Sequence, residues 1–209
     1  MSEDEAGLSR RGRWIEESAA KVAPRLDVPA GVCKRPALVL ISGLPGSGKS
    51  YFANQLGRRI PAVVIRTDEV RKILFPEPTY KGWESGVVYL TSQRLVRDYL
   101  LSGKNVIFDA TNLTESGRKQ VYRIAAAADA RLTIVETVAP ESTIRRRLRR
   151  RSAGSIDAYK SDATWPVYLE MKRRRQPIKA EHWTVDTSKE LGPQLDLIVD
   201  SINEGEEQA

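Results

Sequence analysis

The chain has a single cysteine, Cys33, in 209 residues, so no disulfide can form within it. It has a single histidine too, and with one cysteine that leaves no cluster suited to structural zinc. No apolar stretch approaches the ~18 residues of a membrane span. Residues Met1 to Arg13 are polar and charged, unlike the apolar run of a signal peptide. No Asn-Lys-x-Asp motif for reading guanine occurs, which argues against a GTPase. These absences exclude a disulfide scaffold and a zinc module. They set the expectation of a soluble, cytoplasmic protein with no membrane partner.

What is present is an ordinary core-forming composition, 41% apolar, with a formal charge of +7. The charge is unevenly spread. Between Pro140 and Lys179 there are 12 Lys or Arg against 4 Asp or Glu, so the rest of the chain is close to neutral. A concentrated basic segment suits anionic ligands, from nucleotides to nucleic acid. The length suits one compact domain with a short appendage. Residues 1–35 are expected to be that appendage, a short helix over Trp14 to Ala23 and then a linker punctuated by Pro24, Pro29 and Gly31. Residues 36–203 are expected to form the main domain.

Ala37-Leu38-Val39-Leu40-Ile41 is an unbroken apolar run, as expected of a strand buried on both faces. Further strands are expected at Val63 to Ile65, Asn105 to Phe108, Leu132 to Val138 and His182 to Val185, with helical segments between them. This alternation predicts an α/β fold, a five-stranded and mostly parallel sheet covered on both faces. Active residues then gather at the carboxyl ends of the strands. Glu141 to Arg151 and Asp162 to Arg175 read as two basic helices on either side of a Gly154-Ser155 turn, a helical lid at 140–179.

Gly43-Leu44-Pro45-Gly46-Ser47-Gly48-Lys49-Ser50 follows the first strand and opens a helix. Glycines let the backbone turn tightly and approach phosphates, whose charge meets amide groups and a helix N-terminus. Lys49 can reach the β- and γ-phosphates, and Ser50 can hold Mg²⁺. A plain glycine-rich turn needs no Lys-Ser pair. Gly43, Pro45, Gly46, Ser47, Gly48, Lys49 and Ser50 are therefore the candidate binding loop for ATP.

Asp68 ends the second strand, with Arg71 three residues on and on the same helical face. Such a carboxylate can accept the proton of an attacking hydroxyl, and the arginine can hold an anionic acceptor. Asp109 ends the third strand and is a candidate to reach Mg²⁺ through water. Helix capping is the competing use of each carboxylate. Among the arginines from 145 to 151, Arg147 and Arg151 share one face and are the candidates for offsetting charge on a transferring phosphoryl group, with Arg150 as a substitute. The competing use is a solvated basic helix.

The set Gly43 to Ser50, Thr67-Asp68-Glu69-Val70-Arg71, Asp109-Ala110-Thr111-Asn112 and the arginine helix resembles the P-loop kinases grouped with the 5′-hydroxyl polynucleotide kinase domain and its bacterial predicted-kinase relatives, which carry an AAA-type ATP-binding domain. The resemblance runs from about Ala37 to Val185. It implies a P-loop NTPase three-layer sandwich and transfer of the ATP γ-phosphate to an acceptor hydroxyl with Mg²⁺. It implies Asp68 as general base with Arg71 as its partner, Asp109 as the third-strand aspartate, and Arg151 with Arg147 as lid arginines. The expected acceptor is a 5′-hydroxyl of DNA or RNA. A sugar, nucleoside or antibiotic acceptor is the alternative, and a non-catalytic nucleotide-dependent nucleic-acid-binding module a further one.

Overall fold

A computed structural model describes residues 10–152 and 163–207. The side chain of Arg151 and the Gly154-Ser155 turn lie outside the described residues. Five strands, β1 (Ala37–Ser42), β2 (Val63–Arg66), β3 (Val106–Asp109), β4 (Arg131–Val138) and β5 (Trp183–Asp186), form one sheet in the order β2-β3-β1-β4-β5. Each neighbouring pair runs parallel. The sequence predicted each of these strands to within a residue or two at its ends.

The helices are α1 (Arg10–Val22), α2 (Lys49–Gly57), α3 (Thr67–Leu74), α4 (Gly82–Leu101), α5 (Glu115–Ala127), α6 (Glu141–Ser152), α7 (Trp165–Arg174) and α8 (Gly192–Glu207). Helix α7 starts three residues later than predicted. Pro166 occupies its first turn and Thr164 ahead of it is extended, the arrangement that proline permits and favours. Helix α8 continues through the acidic stretch to Glu207.

Strand β1 shows why the chain makes three layers. Its side chains alternate between faces. Leu38 and Leu40 join a core with Val70 of α3, Val88, Leu95 and Val96 of α4, and Val121 of α5. Ala37, Val39 and Ile41 join a second core with Phe52 and Leu56 of α2 and Leu195, Ile198 and Ile202 of α8. Full burial of a side chain such as Phe52 or Ile198 contributes about 1.5–3 kcal/mol. Helix α1 belongs to the first core through Ala19 and Val22 and is held to α4 by a Glu16–Arg94 ion pair at 2.8 Å. Among the described residues, no helix is long and apolar enough to cross a membrane.

A third, smaller cluster ties the basic helices to the phosphate loop. Leu44 of the loop packs with Ile144 and Leu148 of α6 and Tyr168 of α7. Trp165 stacks on Tyr168 within α7 at 4.8 Å between centroids, and α7 is held on α6 by their packing on Ile144 and Leu148 and by Arg145 over the Trp165 ring.

Candidate active site

The sheet order brings the ends of β1, β2 and β3 side by side. Ile41 of β1 pairs with Asp109 of β3, which pairs in turn with Arg66 of β2. The phosphate loop leaves β1 at this line. Gly48 has φ +92° and precedes Lys49 at the start of α2. A Cβ there would lie 2.6 Å from the Thr187 hydroxyl oxygen, so glycine is required twice over, by torsion and by space. At Gly43 a Cβ would lie 2.4 Å from the Thr137 hydroxyl oxygen.

Thr137 and Thr187 brace the loop from behind. They follow from where β4 and β5 end, since Thr137 is at the end of β4 and Thr187 directly follows β5. The Thr137 hydroxyl is 2.8 Å from that of Ser47. The Thr187 hydroxyl donates to the Ser47 carbonyl at 2.6 Å and accepts from Arg147 Nη1 at 2.9 Å. Arg147 also donates to the carbonyls of Gly46, at 3.1 Å, and of Thr187, at 2.8 Å. The guanidinium expected to face phosphates thus clips α6 to the loop and to the turn after β5. Sequence reasoning missed both threonines. No local pattern marks them, because their role exists only once three strand ends meet.

The charged centre lies on the open side of the loop. Lys49 donates from Nζ to the Leu44 carbonyl at 3.2 Å. Asp109 is 4% exposed. Burial pushes its carboxyl above the ordinary value, while Lys49, a hydrogen bond from Ser50 and Arg66 pull it down and Asp68 pushes it up. Lys49, Ser50, Asp68 and Asp109 are therefore brought together, as the sequence placed them. Asp68 sits in the first turn of α3 and is exposed. Arg66, absent from the sequence-based candidates, lies 3.9 Å from Asp109 and 3.1 Å from Glu69, and donates to Asn54 of α2.

Arg71 stands one turn along α3 from Asp68 and is directed elsewhere. Its guanidinium is 3.6 Å from Glu84 and 3.2 Å from the Ser85 hydroxyl, and lies 5.0 Å from the centre of the Tyr80 ring. Glu84, 2% exposed, is the anchor of this region. It accepts from the Thr79 hydroxyl at 2.6 Å and from the Thr79 and Tyr80 amides at 3.0 and 2.8 Å. The Thr79 hydroxyl, more than the amides and Arg71, holds its carboxyl below the usual range, against the upward push of burial. This fixes Tyr80 at φ +57°, which a non-glycine residue adopts only when its surroundings hold it there.

Asn112 is a structural residue. It is buried at φ +44°, donates to the Ile41 carbonyl at 2.7 Å and accepts from the Tyr89 hydroxyl at 2.9 Å. Arg118, 1% exposed, donates to the carbonyls of Asn112, Gln176 and Pro177 and pairs with Glu115 at 2.8 Å. It thereby anchors the segment that returns from α7 toward β5.

Ser50 and Asp109 fit Mg²⁺ as a donor set. They are hard oxygen groups close enough to interact beside the loop, and Mg²⁺ commonly takes one or two protein ligands and keeps several waters. Among the described residues, no group of three or more His, Cys, Asp or Glu is placed to hold a metal.

A parallel sheet of this order, with a braced phosphate loop on β1 and carboxylates at the ends of β2 and β3, defines a P-loop kinase fold. The family model described as AAA domain matches residues 38–178, and the chain belongs to that family. Among curated relatives, the uncharacterized protein Rv2004c of Mycobacterium tuberculosis is 30% identical over 133 residues, 58% of this chain and 27% of that protein. The L-seryl-tRNA(Sec) kinase of Methanococcus maripaludis is 25% identical over 115 residues, 53% of this chain and 44% of that protein. The chain thus spans less than half the length of these relatives.

Solved structures share the fold. The APS kinase CysC of Mycobacterium tuberculosis, in complex with AMPPNP and APS, has a TM-score of 0.60 at 19% identity, covering 79% of this chain and 96% of that one. A gluconokinase from Sinorhizobium meliloti gives 0.56 at 17%, covering 84% and 97%. The Pnkp1/Rnl/Hen1 RNA repair complex gives 0.56 at 20%, covering 67% of this chain and 44% of that one.

Proposed function

We propose that this chain is an ATP-dependent phosphotransferase whose acceptor is a hydroxyl group, the preferred acceptor being the 5′-hydroxyl of DNA or RNA. The observation that carries the reading is the gathering of Lys49, Ser50, Asp68 and Asp109 at the open side of the phosphate loop, with one carboxylate buried and the other exposed. In this reading residues 36–203 form the kinase domain and 140–179 its lid.

The exposed carboxylate of Asp68 takes the proton of the acceptor hydroxyl. The hydroxyl oxygen forms its bond to the γ-phosphorus as the bond from that phosphorus to the β–γ bridging oxygen breaks, and ADP leaves. Lys49 offsets negative charge on the moving phosphoryl group. Ser50 and Asp109 would hold Mg²⁺, which supplies further charge neutralisation when bound. Arg71, held by Glu84 and Ser85 one turn beyond Asp68, adds positive charge on the acceptor side. Arg147 keeps α6 seated on the loop, and Arg151 completes the lid arginines expected to face phosphate.

A small-metabolite kinase is the second reading, supported by the fold shared with the APS kinase and the gluconokinase. The basic segment from Pro140 to Lys179 favours the polyanionic acceptor. Incubation with labelled ATP, Mg²⁺ and matched 5′-hydroxyl and 5′-phosphate oligonucleotides, beside a panel of sugars, nucleosides and adenylylsulfate, separates the two. Label on the 5′-hydroxyl strands alone is expected. Transfer only to a metabolite would overturn the nucleic-acid acceptor, and ATP binding without transfer to anything would overturn the enzyme.

A further inference from the structure

Trp14, Tyr80 and Trp83 are 43%, 49% and 54% exposed, yet they are not scattered. Trp14 of α1 stacks on Trp83 of α4 with centroids 6.1 Å apart and planes 26° apart. Phe75, at the end of α3, meets the same Trp83 edge-on at 5.5 Å and 87°. Tyr80 lies three residues before Trp83, fixed by Glu84 and stacked with Arg71. The N-terminal helix and the α3–α4 region, distant from it in sequence, thus build one aromatic ledge. The Trp14, Trp83 and Phe75 rings hold one another in place, and Trp14, Tyr80 and Trp83 keep much of their surface toward water, where an ordinary core would have hidden it.

The ledge is continuous with the candidate active site. Helix α3 begins at Thr67-Asp68 and ends at Leu74. Phe75 is therefore roughly 10 Å from Asp68 along the helix, and Arg71 lies between them. The flanking charge is basic. Arg10, Arg11 and Arg13 of α1 and Lys81 beside Tyr80 are exposed, against the exposed acids Glu17 and Glu77, while Glu16 pairs with Arg94 and the buried Glu84 with Arg71. Exposed aromatic faces interleaved with cations are the recognition chemistry of single-stranded nucleic acid, bases stacking while phosphates meet Lys and Arg. An apolar protein partner gains nothing from the arginines, and a small sugar or sulfate acceptor would not reach a platform this far from Asp68.

We propose that the Trp14–Phe75–Tyr80–Trp83 ledge is a second acceptor subsite that stacks the bases following the 5′-terminal nucleotide of a single strand. This rests on the nucleic-acid reading of the acceptor given above. Its distinctive content is that the N-terminal helix completes the subsite. Recognition by stacking also makes the subsite tolerant of base sequence and sensitive to strand length.

The test compares the full-length protein with Trp83→Ala, Trp14→Ala and Trp83→Phe, using a 5′-hydroxyl hexanucleotide and a nucleoside 3′-monophosphate as acceptors. For the hexanucleotide, Trp83→Ala and Trp14→Ala are expected to raise KM about tenfold with kcat unchanged. The KM for the mononucleotide should not move, and Trp83→Phe should retain most of the affinity. Thermal melts confirm that each variant is folded, and both tryptophans are exposed enough to replace. Equal KM values for wild type and variants on the hexanucleotide would overturn the ledge and leave the kinase reading standing. If no oligonucleotide is phosphorylated, direct titration of the protein with the hexanucleotide, read by tryptophan fluorescence, decides the ledge alone. Quenching that Trp83→Ala removes supports it, and no quenching overturns it. Concentration-dependent dimerisation abolished by Trp83→Ala would also overturn it, by making the ledge a contact between copies of this chain.

Discussion

The two sides of the candidate site are built differently. On the nucleotide side, the loop from Gly43 to Ser50 is enclosed by Thr137 and Thr187, each with a hydrogen bond to Ser47 and a close approach to a loop glycine, and by Arg147, which bonds the Gly46 carbonyl and Thr187. On the acceptor side, Tyr80 and Trp83 lie largely in water, and the fixed points are one buried carboxylate, Glu84, and the arginine it orients. The first side suits a ligand whose shape never changes, a chain of phosphates. The second suits a ligand that differs from one kinase to the next. In the proposed reading, the donor side is thus held by backbone and small hydroxyls, and the acceptor side by large side chains on and beside helices.

The sharpest way to probe that contrast is at the boundary between the two sides. Asp68→Asn should lower phosphoryl transfer by about 10²- to 10⁴-fold, the usual contribution of a positioned base. ATP binding, measured by calorimetry, should stay close to that of the parent. Unchanged turnover would remove Asp68 from the base role and shift attention to Asp109.

Thr187→Val tests the brace from the nucleotide side. The substitution keeps the shape and removes the hydroxyl that joins Arg147 to the Ser47 carbonyl. Leaving these groups short of a partner costs about 1–3 kcal/mol, so ATP affinity should fall by about tenfold or more while the acceptor KM holds steady. Thr187→Ser should restore most of the loss. A variant that binds ATP normally would show that the loop keeps its shape without the clip.

The smallest effect concerns stability. The Asp109 carboxyl is raised by burial, so the folded state favours its neutral form. Its contribution to stability is present below the unfolded value near 3.8 and is lost as pH rises from there through the folded value. Asp109→Asn should therefore melt at the same or a higher temperature than the parent at neutral pH, with the gap closing in acid, while losing activity. A lower melting temperature at neutral pH would mean that pairing with Ser50, Lys49 and Arg66 outweighs the cost of burial.

The sequence made the nucleotide side legible because its signals are local. A buried apolar run followed by a glycine loop and Lys-Ser announces both strand and function, and an aspartate at the end of an apolar run announces a strand terminus. Thr137, Thr187 and Arg66 were not legible, since each acquires its role from strands that meet only in the folded sheet. Arg71 was placed on the right helix, but its engagement with Glu84 and Tyr80 depends on how α4 packs against α3. Within the appendage expected at residues 1–35, a helix lies where one was predicted, but nothing in the sequence foretold that its Trp14 would stack on Trp83. Arg147 was chosen to offset phosphate charge, and in the structure its guanidinium bonds Gly46 and Thr187, partners that the sequence did not reveal.

The way the two cores divide the chain sets a limit on how it can be cut. Residues 38–178 carry the family match, yet β5 and α8 lie beyond that span, and α1 before it. A fragment trimmed to the match would lose the edge strand, the helix that shields Val39 and Ile41, and Thr187 behind the loop. It would lose Val22 and Ala19 from the other face as well. Such a fragment would hold every motif that identifies the fold and still expose the apolar surface that keeps the fold together. The unit that carries the family signature is thus shorter than the unit whose two apolar faces are covered.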